Sequence, residues 1–471
     1  MIIAPPPALS TGASAPAIDR MDALRSRLKG QLLTLGSAAY DEARRTIYIH
    51  VDRYPLAIAR AANAGDVAAA VDYARDHGLP LAVRSGGHSL AQLSVVDGAL
   101  VVDLSTMKRV HIDPESRTAR VQPGATSGDL AGPANAHGLA LTTGDTHSVG
   151  MGGLVTGGGI GYMVRKYGLA IDNLIAAQVV TADGAIVTAS ASEHPDLFWA
   201  IRGGGGNAGI VTEFTFRLAP VGDILGGALF LPATRDVLRG YLDYSVAAPD
   251  DLTTIANLMH APPAPFIPEA RVGEPVLMIL ATWTGRIEDG EHALAPLRAL
   301  ATPVADLLGP MPYPAIYEFM AFAAEPHAAS IRMMFADDLS EDALDASLAA
   351  MERSSSPFSI IQFRGLGGAL ARVDTQATAF AHRERRYFVA IIGVWLDAAE
   401  DAAAHQAWTA ALWKKLRPEG QGVYVNFLEN EGVDRIREAY PGVTFERLQA
   451  VKRQYDPENL FRFNQNVPPK S

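Results

Sequence analysis

The hydrophobic and polar positions of this chain change period several times, and each change marks an element. From Asp66 to His77 the apolar residues Val67, Val71 and Ala74 recur at helical spacing, and Gly78 supplies a stop. Leu79 to Val83 then reads as a strand that delivers the chain into the loop Ser85 to Ser89. Short β-like runs follow at 100–104, 110–112 and 119–122, each bounded by Asp, Pro or Gly turn residues, and the next helix is expected from Ser127 to His137. Strands at Ala176 to Thr181 and Ile186 to Thr188 flank the turn Asp183-Gly184, and Gly209 to Leu218 alternates in the same way.

From Leu225 onward glycine thins and Pro262-Pro263-Ala264-Pro265 marks a loop, so a second domain begins here. Its strands, among them Val276 to Trp283, Ser359 to Arg364 and Tyr387 to Trp395, alternate with helices such as Ser340 to Met351, where Leu344, Leu348 and Met351 share one face. That pattern predicts an antiparallel sheet backed by helices. Tyr424-Val425-Asn426-Phe427 reads as a further strand, Phe445 to Tyr455 as a helix stopped by Asp456-Pro457, and Phe461 to Asn466 as an extended tail. The fold class is α+β.

Composition narrows the function. A length of 471 residues suggests roughly three folding units. With 48% hydrophobic and 19% charged residues the chain is globular, and a net charge of −11 without long Lys/Arg clusters argues against a nucleic-acid or anionic-membrane surface. The expected partner is a small molecule. The absence of cysteine rules out disulfides, thiolate metal sites and a cysteine nucleophile, and fits a cytoplasmic location. Met1 to Pro16 lacks the basic start of a secretory signal and reads as a loose tail, while the apolar strip Tyr387 to Leu396 falls far short of the roughly 18 residues that span a bilayer, so no membrane anchor is expected. No H-E-x-x-H or close His/Asp cluster supports a metal.

Candidate chemistry sits in the glycine-rich loops. Between Gly144 and Gly168 lie nine glycines, a density whose entropic cost favours a ligand-lining role. His88, set between Gly87 and Ser89, offers a nucleophilic ring nitrogen, and His147 stands nearest the second glycine cluster. Gly204-Gly205-Gly206-Asn207-Ala208-Gly209 satisfies G-x-G-x-x-G, but the alternating segment that follows, Ile210 to Phe216, is a strand rather than the helix a dinucleotide fingerprint opens. On the residues alone Tyr424 is either a reactive phenol or a core aromatic, and Trp283 and Trp395 are read as core.

These motifs, in order, carry a resemblance. Arg84-Ser85-Gly86-Gly87-His88-Ser89, Gly157-Gly158-Gly159-Ile160-Gly161, Arg165-Lys166-Tyr167-Gly168-Leu169 with Asp172-Asn173, Asp196-Leu197-Phe198-Trp199-Ala200 with Arg202 to Asn207, and Tyr455 to Phe461 with Asn464-Gln465-Asn466 make the chain similar to the berberine bridge enzyme-like flavoprotein oxidases of the vanillyl-alcohol oxidase fold. The resemblance implies a tail and helix over 1–47, a two-lobed PCMH-type FAD-binding domain over 48–220, a substrate domain over 221–423 and a segment returning to the flavin domain over 424–471. It implies FAD contacts at Arg84, Ser85, Gly86, Gly87, His88, Ser89, Gly144, Asp145, Thr146, Val149, Gly150, Gly153, Gly157, Gly158, Gly159, Gly161, Gly209, Ile210, Val211, Asn464 and Asn466. By the same carry-over His88 bonds the flavin 8α-methyl. Thr146 stands where many relatives add a cysteinyl bond, so His88 is the sole covalent anchor.

In family members acting on alcohols a side chain takes the hydroxyl proton while hydride goes to flavin N5, and Tyr424 occupies the matching position. Ala390 stands opposite the glutamate expected in berberine bridge enzyme, Phe427 replaces a second tyrosine, and Ala208 replaces a common aromatic. A phenol titrates near 10, so Tyr424 needs help; Gln362, Arg364 and Asn426 are candidates, with Tyr387 as an alternative base. The reading is an FAD-linked oxidase acting on an alcohol of a sugar or natural-product-like molecule, with oxygen as acceptor and hydrogen peroxide as product. The alternatives are a dehydrogenase with a non-oxygen acceptor, separated by oxygen access near flavin C4a, and a non-catalytic flavin-binding protein, against which the intact loops and Tyr424 argue. Substrate identity and oligomeric state stay open.

Overall fold

In the computed structural model, residues 21–470 are described; the tail expected over Met1 to Pro16 lies outside them. The helix expected after Asp66 runs over Ala64–Asp76, with the Asn63 side chain accepting the Asp66 N–H at its start. Its buried face, Val67, Ala70, Val71 and Ala74, packs on a four-stranded sheet ordered Gln31–Leu33, Ala57–Arg60, Leu100–Asp103, Leu81–Arg84. The first pair is antiparallel and the other two are parallel. The flavin-type lobe therefore takes in chain before residue 48. Asp66 fixes that early strand, since its carboxylate accepts the N–H groups of Lys29 and Gly30 at 2.9 and 2.8 Å.

A second lobe is built on five antiparallel strands, Val110–Asp113, Thr118–Val121, Ile210–Arg217, Leu174–Val180 and Ile186–Ser190 in that spatial order. Ile210–Arg217 is a strand directly after the glycine run, as its alternation demanded. The domain expected to take the substrate is built on a nine-stranded antiparallel sheet centred on Asp223–Pro232, Pro275–Trp283, Leu252–His260, Ile360–Gly365, Tyr387–Trp395 and Ala328–Ala336. Strand alternation divides its side chains. Ile361, Phe363, Tyr387, Val389 and Ile391 turn toward the helices Arg235–Ala247, Ile287–Arg298, Glu341–Glu352 and Ala402–Leu416, whereas Gln362, Arg364, Phe388 and Ala390 turn toward the flavin-type lobes. Trp283 packs in that helical layer and Trp395 stacks on His405, so both are core residues.

One expected element differs. Tyr424 is extended, but Val425–Phe427 form a single 3-10 turn instead of a strand. Beyond it the helices Val433–Ala439 and Val443–Tyr455 return to the first domain, where the second packs on Pro195–Ile201. A fully buried ion pair fastens this return: Lys452 Nζ donates to Asp456 at 2.5 Å and to the carbonyls of Asn207 and Phe461 at 2.9 and 2.8 Å, while Asp456 accepts the N–H groups of Leu460 and Phe461. Asn207 adds a clasp, its Oδ1 accepting the Val467 N–H at 2.9 Å.

Lys452→Met strands the Asp456 carboxylate without its counter-charge. The expected loss is about 3–5 kcal/mol of stability, read from the urea denaturation curve. An unchanged curve would show that the pair is dispensable.

Candidate active site

The two lobes, the substrate sheet and the C-terminal segment enclose a cavity of about 540 Å3. The loop after Leu81–Arg84 brings Ser85, Gly86, Gly87, His88 and Ser89 to its wall; the second glycine cluster brings Gly144, Asp145, Thr146, Val149, Gly150, Gly153 and Gly159; Gly209, Ile210, Val211 and Asn464 close one end. The two loops meet backbone to backbone. A Cβ on Gly86 would stand 2.4 Å from the Gly150 nitrogen, and one on Gly150 would stand 2.4 Å from the Gly86 nitrogen. Neither position has room for a side chain, and Ser85 locks the seam by donating to the Pro123 carbonyl at 2.6 Å.

Several residues expected on the cofactor do not line the cavity. Arg84 turns its guanidinium away to the Ala43 carbonyl and Asn466 lies beyond the lining; His147, noted only as the histidine nearest the second glycine cluster, contributes its backbone carbonyl to the Gly128 N–H. Gly157, Gly158 and Gly161 are glycine for packing: a Cβ on Gly157 would fall 2.0 Å from Asn426 Oδ1, and one on Gly158 would press on Tyr424. Tyr387 faces the helical layer, donating to the Leu242 carbonyl at 3.3 Å, because its odd parity in the strand puts it opposite Phe388 and Ala390.

His88 is oriented by Ser148, a residue that sequence reasoning does not single out. Ser148 Oγ and His88 Nε2 share a hydrogen bond of 3.0 Å, and no hydrogen bond among the described residues engages Nδ1. Burial, reinforced by His327 and His147, pushes the imidazole down to about 4, so the ring is neutral at physiological pH and keeps a nucleophilic lone pair. The one signal for Ser148 in the sequence is its place inside the second glycine cluster, where a hydroxyl is available to aim a histidine.

Tyr424 also lines the cavity, 3% exposed, edge-on to Phe380 and Phe388 and stacked on Phe427. Its oxygen accepts the Gly159 N–H and the Asn426 Nδ2–H, both at 2.9 Å. Asn426 is held in turn by donating to the Leu154 carbonyl at 3.0 Å. Burial pushes the phenol up to about 12, while the two N–H donors and the Arg364 charge act in the opposite direction. Arg364 is buried, stacks over Phe388 and pairs with Asp145; it also donates to Gln362 Oε1, and Gln362 Nε2 donates to Asn257 Oδ1 at 2.8 Å. Arg364 and Asn426 thus reach Tyr424 by charge and by contact, whereas Gln362 is fixed beside them in the cavity wall.

The donor set fits a large polar cofactor such as FAD. Ser94 Oγ and Asn464 Oδ1 are buried, belong to residues lining the cavity, and have no partner among the described residues; such groups are costly unless a ligand satisfies them. Among the described residues no cluster of His, Asp or Glu could hold a metal, and no helix is long and apolar enough to cross a membrane.

Residues 55–190 match the FAD binding domain family model, and residues 423–468 match the berberine and berberine like model. The (R)-6-hydroxynicotine oxidase of Paenarthrobacter nicotinovorans is 33% identical over 440 residues, covering 89% of this chain and 92% of that protein. The crystal structure of 6-hydroxy-D-nicotine oxidase from Arthrobacter nicotinovorans superposes with a TM-score of 0.85 at 28% identity, over 94% of this chain and 98% of that one. Xylooligosaccharide oxidase from Myceliophthora thermophila, solved with xylobiose, shares the fold at a TM-score of 0.84 and 24% identity, over 96% of this chain and 99% of that one.

Proposed function

As a member of the berberine bridge enzyme-like family the chain is an FAD-linked oxidoreductase, and we propose that it oxidises an alcohol carbon to a carbonyl with oxygen as electron acceptor, Tyr424 taking the hydroxyl proton and His88 being the single covalent anchor of the cofactor. Bound FAD supplies a two-electron acceptor that oxygen restores, so one alcohol and one O2 give one carbonyl compound and one hydrogen peroxide. Ser94, Asn464 and the facing glycine loops would hold it.

The observation that carries this reading is the bracketed Tyr424 oxygen. A base must sit within hydrogen-bond reach of the proton it takes, and Tyr424 lines the same cavity as His88. Two N–H groups already occupy its oxygen as donors, so negative charge arriving there meets fixed dipoles rather than apolar wall. Burial works against that charge, and the balance leaves the phenol protonated at neutral pH. The reactive phenolate fraction therefore grows as pH rises toward 12. His88 contributes a neutral ring whose Nε2 is engaged by Ser148, which leaves Nδ1 as the nitrogen open to the cofactor.

Unfolding the purified protein in acid is expected to leave the yellow colour on the polypeptide, and His88→Ala to release it; colour that washes away from the parent would refute the covalent anchor. Tyr424→Phe is expected to keep its FAD content and to slow anaerobic flavin reduction by about 10²- to 10⁴-fold, roughly 3–5 kcal/mol of barrier, and to flatten the alkaline rise in rate. A variant as fast as the parent at every pH would assign the base elsewhere.

A further inference from the structure

Resting on the alcohol-oxidase reading, we infer that the substrate is a largely apolar, ring- or chain-bearing alcohol with a single additional hydrogen-bond acceptor, and not a sugar. The wall that the substrate sheet presents to the cavity is made of Ile331, Ile360, Ile392 and Val394, with Met320 beside them. A sugar presents a hydroxyl on nearly every carbon, and each one buried without a partner is costly. Four aliphatic side chains can satisfy none of them.

The polar groups on this side are already committed. Gln362 Oε1 accepts both Nε and Nη2 of Arg364, and because a guanidinium can only donate, the amide orientation is fixed. One Nε2 hydrogen goes to Asn257, so the second is the single donor this side chain can still offer. Both Nδ2 hydrogens of Asn426 are spent, on Tyr424 and on the Leu154 carbonyl, and its Oδ1 is turned to Gly157. Glu325 is solvent-exposed. Where the sheet strands face it, the inner chamber can therefore recognise a hydroxyl at Tyr424 and one acceptor at Gln362, and otherwise meets Ile331, Ile360, Ile392 and Val394; Tyr48, its hydroxyl on the His88 carbonyl, and His327, its Nδ1 on the Glu325 carbonyl, are polar lining groups beside His88.

The mouth repeats this chemistry. Phe322, Phe358 and Leu396 are 45%, 46% and 49% exposed, and all three line the cavity. They come from three separate segments, the end of the 3-10 helix Tyr313–Ala324, the loop before Ile360–Gly365, and the residue after Tyr387–Trp395. Large apolar side chains left in water and converging on one opening mark a surface that a ligand covers. A substrate of more than one ring would reach from Tyr424 to this rim.

The test titrates the purified holoprotein, under anaerobic conditions, with benzyl alcohol, naphthalenemethanol and cellobiose, following the flavin difference spectrum and the naphthyl fluorescence. The second ring is expected to tighten binding roughly tenfold, and cellobiose to leave the spectrum unchanged. In Phe358→Ser/Leu396→Gln the advantage of the second ring should fall several-fold while benzyl alcohol binds as before. Cellobiose binding more tightly than benzyl alcohol, equal affinity for the two aromatic alcohols, or no binding of either would overturn the inference. Apolar alcohols that bind without reducing the flavin would instead overturn the alcohol-oxidase reading and leave the cavity chemistry standing. Naphthyl fluorescence decides the matter even for protein that carries no flavin.

Discussion

The Tyr424 oxygen, accepting one N–H from the Gly159 loop and one from Asn426, is the contact on which the rest of the site depends. It joins a residue near the end of the chain to a glycine loop 265 positions earlier, and everything around it is arranged to permit that approach. Gly157 and Gly158 lack side chains because Asn426 and the Tyr424 ring occupy the space a Cβ would need. The C-terminal helices return to the flavin-binding lobes through the buried Lys452–Asp456 pair, and the substrate sheet closes over the ring with Phe388 and Ala390. A phenol placed there is dry enough to be held protonated and polar enough at its oxygen to tolerate charge.

Burial lowers the affinity of His88 for a proton and raises that of Tyr424, so the same exclusion of water keeps both groups uncharged near neutral pH. Arg364, on the strand Ile360–Gly365, reaches across to the second glycine cluster, paired with Asp145 on one side and stacked on Phe388 on the other. It brings positive charge close to Tyr424 while its own charge is answered within the wall.

Much of this is legible in the sequence. Apolar runs and alternation locate strands in each of the three larger sheets but leave Gln31–Leu33, Ala57–Arg60, Asp223–Pro232, Leu252–His260 and Ala328–Ala336 unread, and alternation rejects the G-x-G-x-x-G run, because Ile210 to Phe216 is a strand. The same alternation holds the parity that separates Tyr387 from Phe388 and Ala390, a signal that residue spacing alone carries. Other features are not legible. Val425–Phe427 carry β-compatible residues, yet they turn, because Phe427 N–H bonds back to the Tyr424 carbonyl and the ring packing selects that shape. The Arg364–Asp145 pair spans 219 positions, and glycine density alone cannot separate Gly86 and Gly150, which line the cavity, from Gly157 and Gly161, which make room for neighbouring protein atoms. The motifs that carry the family resemblance are partly structural: Asn207 and Asp456 fasten the returning segment, and Asp172 anchors Arg383 through two hydrogen bonds.

The proposal that Tyr424 takes the hydroxyl proton as flavin is reduced is tested most directly by replacing Tyr424 with fluorotyrosine and recording the rate of anaerobic flavin reduction against pH. Fluorination makes the phenol more acidic while leaving its size and its two N–H contacts nearly unchanged. The account predicts that the alkaline rise in rate moves to lower pH in step with the more acidic phenol. A profile that superimposes on that of the unmodified protein would contradict it.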